Sequence, residues 1–196
     1  EVTREDTPDL VYFFPAGLDA RSRWPSVVWF NGASGYTDTW NYNDLLRSLA
    51  SWGFVVVGGK SAGRNPEASD ERTALLGRND DADDVLFGRI DPAQMGLAGH
   101  SLGAFQATAG SGDYRTAVAI EGASDPSNAT PTFYMTAVMD DVVPPALVMR
   151  AYDLAFGPAC LASHGPANHD APRLDGGPFR EPLVAFFLWR LEGDAR

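Results

Sequence analysis

The residues of this chain most suggestive of chemistry form one short pattern, Gly99-His100-Ser101-Leu102-Gly103. It has the form Gly-x-Ser-x-Gly and lies between a predicted strand, Met95–Ala98, and a predicted helix that begins at Leu102. Glycine at both flanking positions permits a tight turn in which a larger side chain would collide with the neighbouring strand or helix. The pattern therefore predicts that Ser101 is a nucleophile held at the tip of this turn. The alternative is a glycine-rich turn that holds an inert serine.

A serine hydroxyl needs a base to take its proton, and histidine is the side chain best suited to that task. The chain has three histidines. His100 lies inside the turn, where its ring would point away from the serine. His164 is favoured because it follows the apolar segment Ala159–Ala162 and would leave the end of a strand. His169 lies farther into a loop and is interpreted as a solvated residue, although both late histidines fit the chain order serine, acid, histidine.

The carboxylate that orients such a histidine should leave a strand between the serine and the histidine. Asp140 and Asp141 both follow the predicted strand Phe133–Val138, and the prolines Pro144 and Pro145 come soon after them. One of the two aspartates is expected to orient the histidine, and the other to be a surface carboxylate. The spacing does not choose between them.

Acyl transfer also requires two N–H donors for the oxyanion of the tetrahedral intermediate. The backbone N–H of Leu102, directly after the nucleophile, is the first candidate. The loop Asn31–Gly35 follows the predicted strand Val27–Phe30, and its small residues would allow the backbone to approach a substrate. Ala33 is the preferred second donor and Ser34 the next. The alternative for this loop is an ordinary strand-to-helix turn.

Several residues near this loop are candidates for the wall of a substrate cleft. Ser34 and Tyr36 are predicted to bind substrate, and Trp40 and Tyr42 are close to them in sequence. Tyrosine and tryptophan combine a large apolar surface with a polar group, which suits a cleft that accepts an acyl or aromatic group. The alternative is that these aromatic side chains belong to the core.

Apolar segments rich in β-branched and aromatic residues alternate with segments of helical periodicity. This alternation predicts an α/β fold with a mostly parallel central sheet and helices on both faces. The length of 196 residues fits one domain. Beyond the strands already named, the predicted strands and helices are Leu10–Phe14, Gly53–Gly59 and Ala117–Ile120, and Thr39–Ser51 and Pro182–Leu191.

A cluster of aspartates lies between residues 80 and 84, at Asp80, Asp81, Asp83 and Asp84. Carboxylates are favoured at the positive end of the helix dipole, so this stretch is expected to begin a solvated helix. Metal binding is the lesser alternative. No cofactor is predicted for the chain.

Composition and charge exclude several classes of protein. The net charge of −11 disfavours nucleic-acid binding. No apolar run approaches the roughly 20 residues that span a bilayer, so no stable membrane insertion is expected. Cys160 is the only cysteine, which rules out an intramolecular disulfide.

A monomer is expected. The chain starts at Glu1, with no methionine and no apolar leader, which suggests processing or trimming of a longer chain. We expect a secreted protein, with the cytoplasm as the alternative.

These motifs, taken in order, resemble those of the polyester hydrolases and cutinase-like lipases of the α/β-hydrolase superfamily. The resemblance covers nearly the whole chain. Its other pieces are Leu49–Val57, Asp140–Pro144, Ser163-His164 and the closing segment Phe187–Arg196. The resemblance implies a cofactor-free carboxylic-ester hydrolase. Because the chain is short for this family, we expect an open cleft and no large lid. Its substrate would be a small-molecule or polymeric ester.

The resemblance also assigns roles: Asp140 would be the acid, His164 the base and Ala33 an oxyanion donor.

Three features depart from the polyester hydrolases. The loop Asn31–Gly35 is closer to the Asn-Gly-Thr-Gly version of chlorophyllase-like relatives, the C-terminal disulfide of the bacterial enzymes cannot form, and Glu121–Ser124 lacks the tryptophan that often walls their cleft. A peptidase or amidase on the same scaffold and a non-catalytic binding protein are the alternative functions.

Overall fold

A computed structural model describes residues 1–20, 23–33, 41–61 and 69–193 of the chain. Within this part, eight strands form one sheet in the order β1-β2-β4-β3-β5-β6-β7-β8. The six strands from β4 to β8 in that order pair in parallel, whereas β2 pairs antiparallel with both β1 and β4. The α/β class and the mostly parallel sheet are therefore confirmed. The strands are β1 Val2–Asp6, β2 Leu10–Pro15, β3 Trp24–Phe30, β4 Val55–Gly59, β5 Ile90–His100, β6 Thr116–Ile120, β7 Thr132–Ala137 and β8 Ala159–His164.

Helices cover both faces of the sheet. On one face, α1 and α5 pack on alternate strand residues such as Val27 and Trp29. On the other face, α2, α3 and α4 pack on the intervening residues, of which Val28 and Phe30 are examples. Because successive side chains of a strand point to opposite faces, a strand covered on both faces must be apolar throughout. The helices are α1 Asn43–Ser51, α2 Ser69–Asp80, α3 Leu102–Ala109, α4 Pro145–Asp153 and α5 Arg180–Phe187, which continues as the π-helix Leu188–Glu192.

The acidic stretch at residues 80 to 84 does not begin a helix, so that prediction is wrong. Helix α2 ends at Asp80, and the chain then turns toward β5. Asp84 accepts a 2.7 Å hydrogen bond from Nε of Arg78, and Oδ1 of Asp81 accepts one from the N–H of Asp83. The aspartates therefore stabilise a turn, through an ion pair and a side-chain bond to the backbone.

Strand β1 and helix α2 are among the elements that the sequence pattern does not predict. Strand β1 has the polar sequence Val-Thr-Arg-Glu-Asp at the edge of the sheet, and only its pairing with β2 makes it a strand. Helix α2 has a weakly amphipathic sequence, Ser-Asp-Glu-Arg-Thr-Ala-Leu-Leu-Gly-Arg-Asn-Asp. Neither segment carries the apolar periodicity on which the prediction depended.

The carboxyl ends of the parallel strands lie at one edge of the sheet, because parallel strands run in the same direction. Asn31, Ser101, Glu121 and Asp140 each follow one of these strand ends, after β3, β5, β6 and β7. Residues far apart in sequence are thereby brought to one place. Among the described residues, no helix is both long enough and apolar enough to cross a bilayer.

Candidate active site

The turn between β5 and α3 holds Ser101 in a strained conformation. Its φ and ψ are 54° and −121°, in a region that non-glycine residues rarely adopt. A Cβ added to Gly103 would overlap the carbonyl of Phe30, and one added to Gly99 would overlap the carbonyl of Gly103. The serine N–H donates to the carbonyl of Ile120 at 2.9 Å. The two glycines thus allow the close approach of strand, turn and helix that fixes the serine.

Three side chains form a continuous line of hydrogen bonds at this turn. Nε2 of His169 lies 2.8 Å from Oγ of Ser101, and Nδ1 of the same ring lies 2.9 Å from Oδ2 of Asp140. An ionised carboxylate can only accept, so Nδ1 carries the proton and Nε2 is left to accept from the serine hydroxyl. His169 and Asp140 are buried. Side chains in such a line can supply a nucleophile, a base and a carboxylate that orients the base.

Asp140 is positioned by the backbone that follows it. Its Oδ1 accepts the N–H groups of Val142 and Val143 at 2.9 and 2.8 Å, which leaves Oδ2 for the imidazole. The neighbouring Asp141 is exposed. The structure therefore brings Asp140, and not Asp141, to the histidine.

The expectation that His164 lies against Ser101 is wrong, because the structure places His169 there. His164 is the last residue of β8, and its ring packs edge-on against Phe179 with 4.5 Å between ring centroids. Its Nε2 has no hydrogen-bond partner among the described residues, and burial lowers its pKa. A side chain on a strand points perpendicular to the sheet, toward the covering helix. Only a loop that crosses the strand ends can carry a ring back over Ser101.

That loop is anchored on its way to His169. The N–H of Met139 donates to the carbonyl of Ala167 at 3.2 Å, and the N–H of Val138 donates to the carbonyl of His164 at 2.9 Å. The segments that follow β7 and β8 are thus tied together. This tie brings Asp140 and His169 into contact.

Both predicted oxyanion donors lie beside Ser101. Leu102 is the first residue of α3, so no carbonyl of its own helix reaches its N–H. A Cβ added to Gly32 would lie 3.4 Å from Cβ of Ser101, which shows how closely the loop after β3 approaches the nucleophile. Ala33 is exposed at this point, while Ser34, Tyr36 and Trp40 lie outside the described residues. A cavity of about 370 Å³ opens here, lined by Gly32, Ala33, Ser101, Val142, His169, Asp170 and Arg173.

His100 and Tyr42 form a buried layer beneath the site. The carbonyl of His169 can only accept, so the 2.9 Å contact with Nε2 of His100 requires that Nε2 carries the proton. Nδ1 of His100 then accepts from the hydroxyl of Tyr42 at 2.7 Å. That hydroxyl in turn accepts the N–H of Gly32 at 3.3 Å. Tyr42 is therefore a core residue that links the loop after β3, through His100, to the backbone of His169.

Glu121 is a buried residue of the site that sequence reasoning did not single out. Its Oε2 lies 3.1 Å from Nε2 of His100 and 3.9 Å from Nδ1 of His169. Burial, with a smaller contribution from the charges of Asp140 and Asp170, raises its pKa to about 9. Burial also lowers the pKa of His100 to about 3. The signal in the sequence was a glutamate directly after the apolar strand β6.

One group in the described part of the chain has side chains of the types that bind metals. Ligand atoms of His100, Glu121 and His169 lie within 4.8 Å of one another. Nε2 of His100 is bonded to a backbone carbonyl, and Nδ1 of His169 is bonded to Asp140. A metal ion would have to replace these bonds, so we interpret the group as a hydrogen-bonded network.

No protein-family model matches the chain, and no curated protein sequence matches it either. What the site can do is therefore inferred from the geometry of its own residues.

Proposed function

We propose that the chain is a serine hydrolase of the α/β-hydrolase class that cleaves carboxylic esters through an acyl-enzyme. The observation that carries this proposal is the unbroken hydrogen-bonded line from Oγ of Ser101 through both nitrogens of His169 to Oδ2 of Asp140. A hydroxyl in contact with a neutral imidazole can lose its proton as it attacks a carbonyl carbon.

In the first half of the reaction, Ser101 attacks the ester carbonyl and His169 takes the serine proton. The oxyanion that forms would accept the backbone N–H groups of Leu102 and Ala33. The protonated His169 then donates its proton to the departing alcohol, and Asp140 stabilises the imidazolium throughout.

In the second half, water attacks the acyl-enzyme at the same carbonyl carbon. His169 accepts a proton from this water and returns it to Oγ of Ser101 as the carboxylic acid leaves. A protonated imidazole cannot act as an acceptor, so the reaction requires the neutral form of His169. The cycle consumes one ester and one water, and it needs no cofactor.

The placement of the three side chains in the sheet supports the same proposal. Ser101 stands on a strand-to-helix turn after β5, Asp140 follows β7 and His169 follows β8. In α/β-hydrolases the triad has this chain order, and the nucleophile stands on a strained turn at the carboxyl end of a strand. The φ of 54° at Ser101 agrees with such a turn.

The proposal is tested with a short-chain activated ester and two variants. Ser101→Ala should lower kcat/KM by about 10³-fold or more, because it removes the nucleophile. Ser163→Ala is the matched control, since Ser163 is an exposed serine on β8 and should keep wild-type activity. A fluorophosphonate probe followed by peptide mass spectrometry should label Ser101 alone. Undiminished turnover in Ser101→Ala, or no label on the wild-type protein, would overturn the proposal.

A further inference from the structure

Glu121 occupies a constrained position directly behind the nucleophile. Its φ is 52°, and its N–H donates to the carbonyl of Met135 at 2.8 Å. A Cβ added to the next residue, Gly122, would lie 2.5 Å from the carbonyl oxygen of Ser101. The backbone of residues 121 and 122 therefore packs closely against the turn that holds Ser101, and the side chain of Glu121 is fully buried. A glutamate held in a left-handed conformation and fully buried requires a physical reason.

The hydrogen atoms around Glu121 follow from the bonds that its neighbours make. Nε2 of His100 carries a proton, because it donates to the carbonyl of His169. Nδ1 of His169 also carries a proton, because it donates to Asp140. Oε2 of Glu121 lies 3.1 Å from Nε2 of His100 and is therefore a second acceptor, which shares the single N–H of His100 with the carbonyl of His169. Nδ1 of His169 is 3.9 Å away, and its N–H is directed to Asp140.

Asp140 is better suited than Glu121 to carry the negative charge of this pair of carboxyl groups. Asp140 accepts three N–H groups, from Val142, Val143 and His169. In the described part of the chain, the only basic side chains within ion-pair distance of Glu121 are two imidazoles. Its Oε1 has no hydrogen-bond partner there.

The charged and titratable groups that face Glu121 come from three segments. They are His100 at the end of β5, Asp140 after β7, and His169 and Asp170 after β8. The two aspartates and burial disfavour a charge on Glu121, and this agrees with the rise of its pKa to about 9.

We propose that Glu121 is a positioning residue that acts as a neutral carboxylic acid: its Oε2 shares the N–H of His100 with the carbonyl of His169 and so fixes the imidazole ring that holds the backbone of His169 in place. This proposal rests on the proposed hydrolase function. The neutral form supplies an acceptor without adding a second negative charge beside the base. An ionised Glu121 would instead place a second negative charge beside His169 and so favour the imidazolium over the neutral form that the reaction requires.

The protonation state can be measured without any activity. The protein is labelled with 13C at the glutamate side-chain carboxyl, and its carboxyl signals are followed by NMR from pH 5 to pH 10. One signal should remain at the position of a protonated carboxyl at pH 7, and it should be missing from Glu121→Gln. If every glutamate signal of the wild-type protein is that of a carboxylate at pH 7, the proposal is wrong.

The positioning role is tested by two variants of similar size. Glu121→Gln keeps a neutral acceptor and should retain most of the activity. In the plot of kcat/KM against pH, its activity should fall on the acidic side at the same pH as that of the wild-type protein. Glu121→Met removes the acceptor and should lower kcat roughly tenfold or more while KM changes little, because the base is no longer held in place. Thermal melts establish that both variants are folded.

Two outcomes would contradict the positioning role. The first is a shift, in Glu121→Gln, of the acidic fall in kcat/KM to lower pH by about one unit or more. Such a shift would show that a negative charge had been removed from beside His169. The second is full activity in Glu121→Met. If Glu121→Met does not fold, the NMR signal and the profile of Glu121→Gln decide. Failure of the hydrolase proposal is recognised separately, since Ser101 would then not react with the fluorophosphonate probe.

Discussion

At the scale of single residues, His164 and His169 differ in what their ring nitrogens contact. Each nitrogen of His169 has a partner in the site, Ser101 on one side and Asp140 on the other. The ring of His164 packs against Phe179, and its Nε2 has no partner among the described residues. Two histidines five positions apart therefore have different chemical environments, and this difference can be tested directly.

We expect His169→Ala to lower kcat/KM for an activated ester by about 10³-fold or more, because it removes the base. His164→Ala is the matched control and should hydrolyse the ester at close to the wild-type rate. Initial rates with p-nitrophenyl acetate provide the measurement. Loss of activity in His164→Ala with retention in His169→Ala would show that the structure assigns the base incorrectly.

At the scale of elements, the turn between β5 and α3 depends on the approach of three backbone segments. Gly103 lies against the carbonyls of Phe30 and Asn31, so a Cβ at this position would overlap both carbonyl oxygens. The end of β3 and the start of α3 are therefore in backbone contact beside Ser101. This contact also brings the loop that carries Ala33 to the nucleophile.

Gly103→Ala is expected to destabilise the protein by about 3 kcal/mol or to prevent folding, because backbone atoms must move to admit the methyl group. Gly77→Ala is the matched control: Gly77 lies in α2, and a Cβ there meets nothing within 4 Å. It should raise the free energy of unfolding by about 0.5–1 kcal/mol, through the higher helix propensity of alanine. Urea denaturation of the two variants provides the comparison. Equal stability of both would contradict the packing described for the turn.

At the scale of the whole molecule, two buried groups couple stability to pH in opposite directions. The pKa of His100 falls from 6.5 to about 3, so between these values the unfolded chain binds a proton that the folded protein does not. Stability due to His100 therefore rises with pH in that range. The pKa of Glu121 rises from 4.5 to about 9, so the folded protein keeps a proton that the unfolded chain has lost. Stability due to Glu121 is full below pH 4.5 and is lost as the pH rises toward 9.

Glu121→Gln removes one of these two effects. Relative to the wild-type protein, the variant should gain stability progressively between pH 5 and pH 9, by at most about 1.4 kcal/mol per pH unit. Below pH 4.5 the difference in the free energy of unfolding should no longer change with pH. Chemical denaturation at pH 4, 6 and 8 measures this difference. A constant difference over the whole range would mean that Glu121 is ionised in the folded protein.

Local sequence patterns predict the α/β class, the strands of the core and the tight turn that carries Ser101. These features follow from local rules. A short continuous apolar run predicts a strand that is buried on both faces, and Gly-x-Ser-x-Gly between a strand and a helix predicts a tight turn. Local rules did not reveal the polar edge strand Val2–Asp6, because its pairing with β2 depends on a neighbour rather than on its own residues.

The contact between His169 and Ser101, and the place of Glu121 beneath them, follow only from the folded path of the chain. A sequence gives the order in which residues follow a strand, but it does not give the path of the loop that carries them. His164 ends β8 and packs against Phe179, directly before α5, whereas five further residues bring the ring of His169 to Ser101. The line from Ser101 through His169 to Asp140 exists because parallel strands end at one edge and their loops meet there.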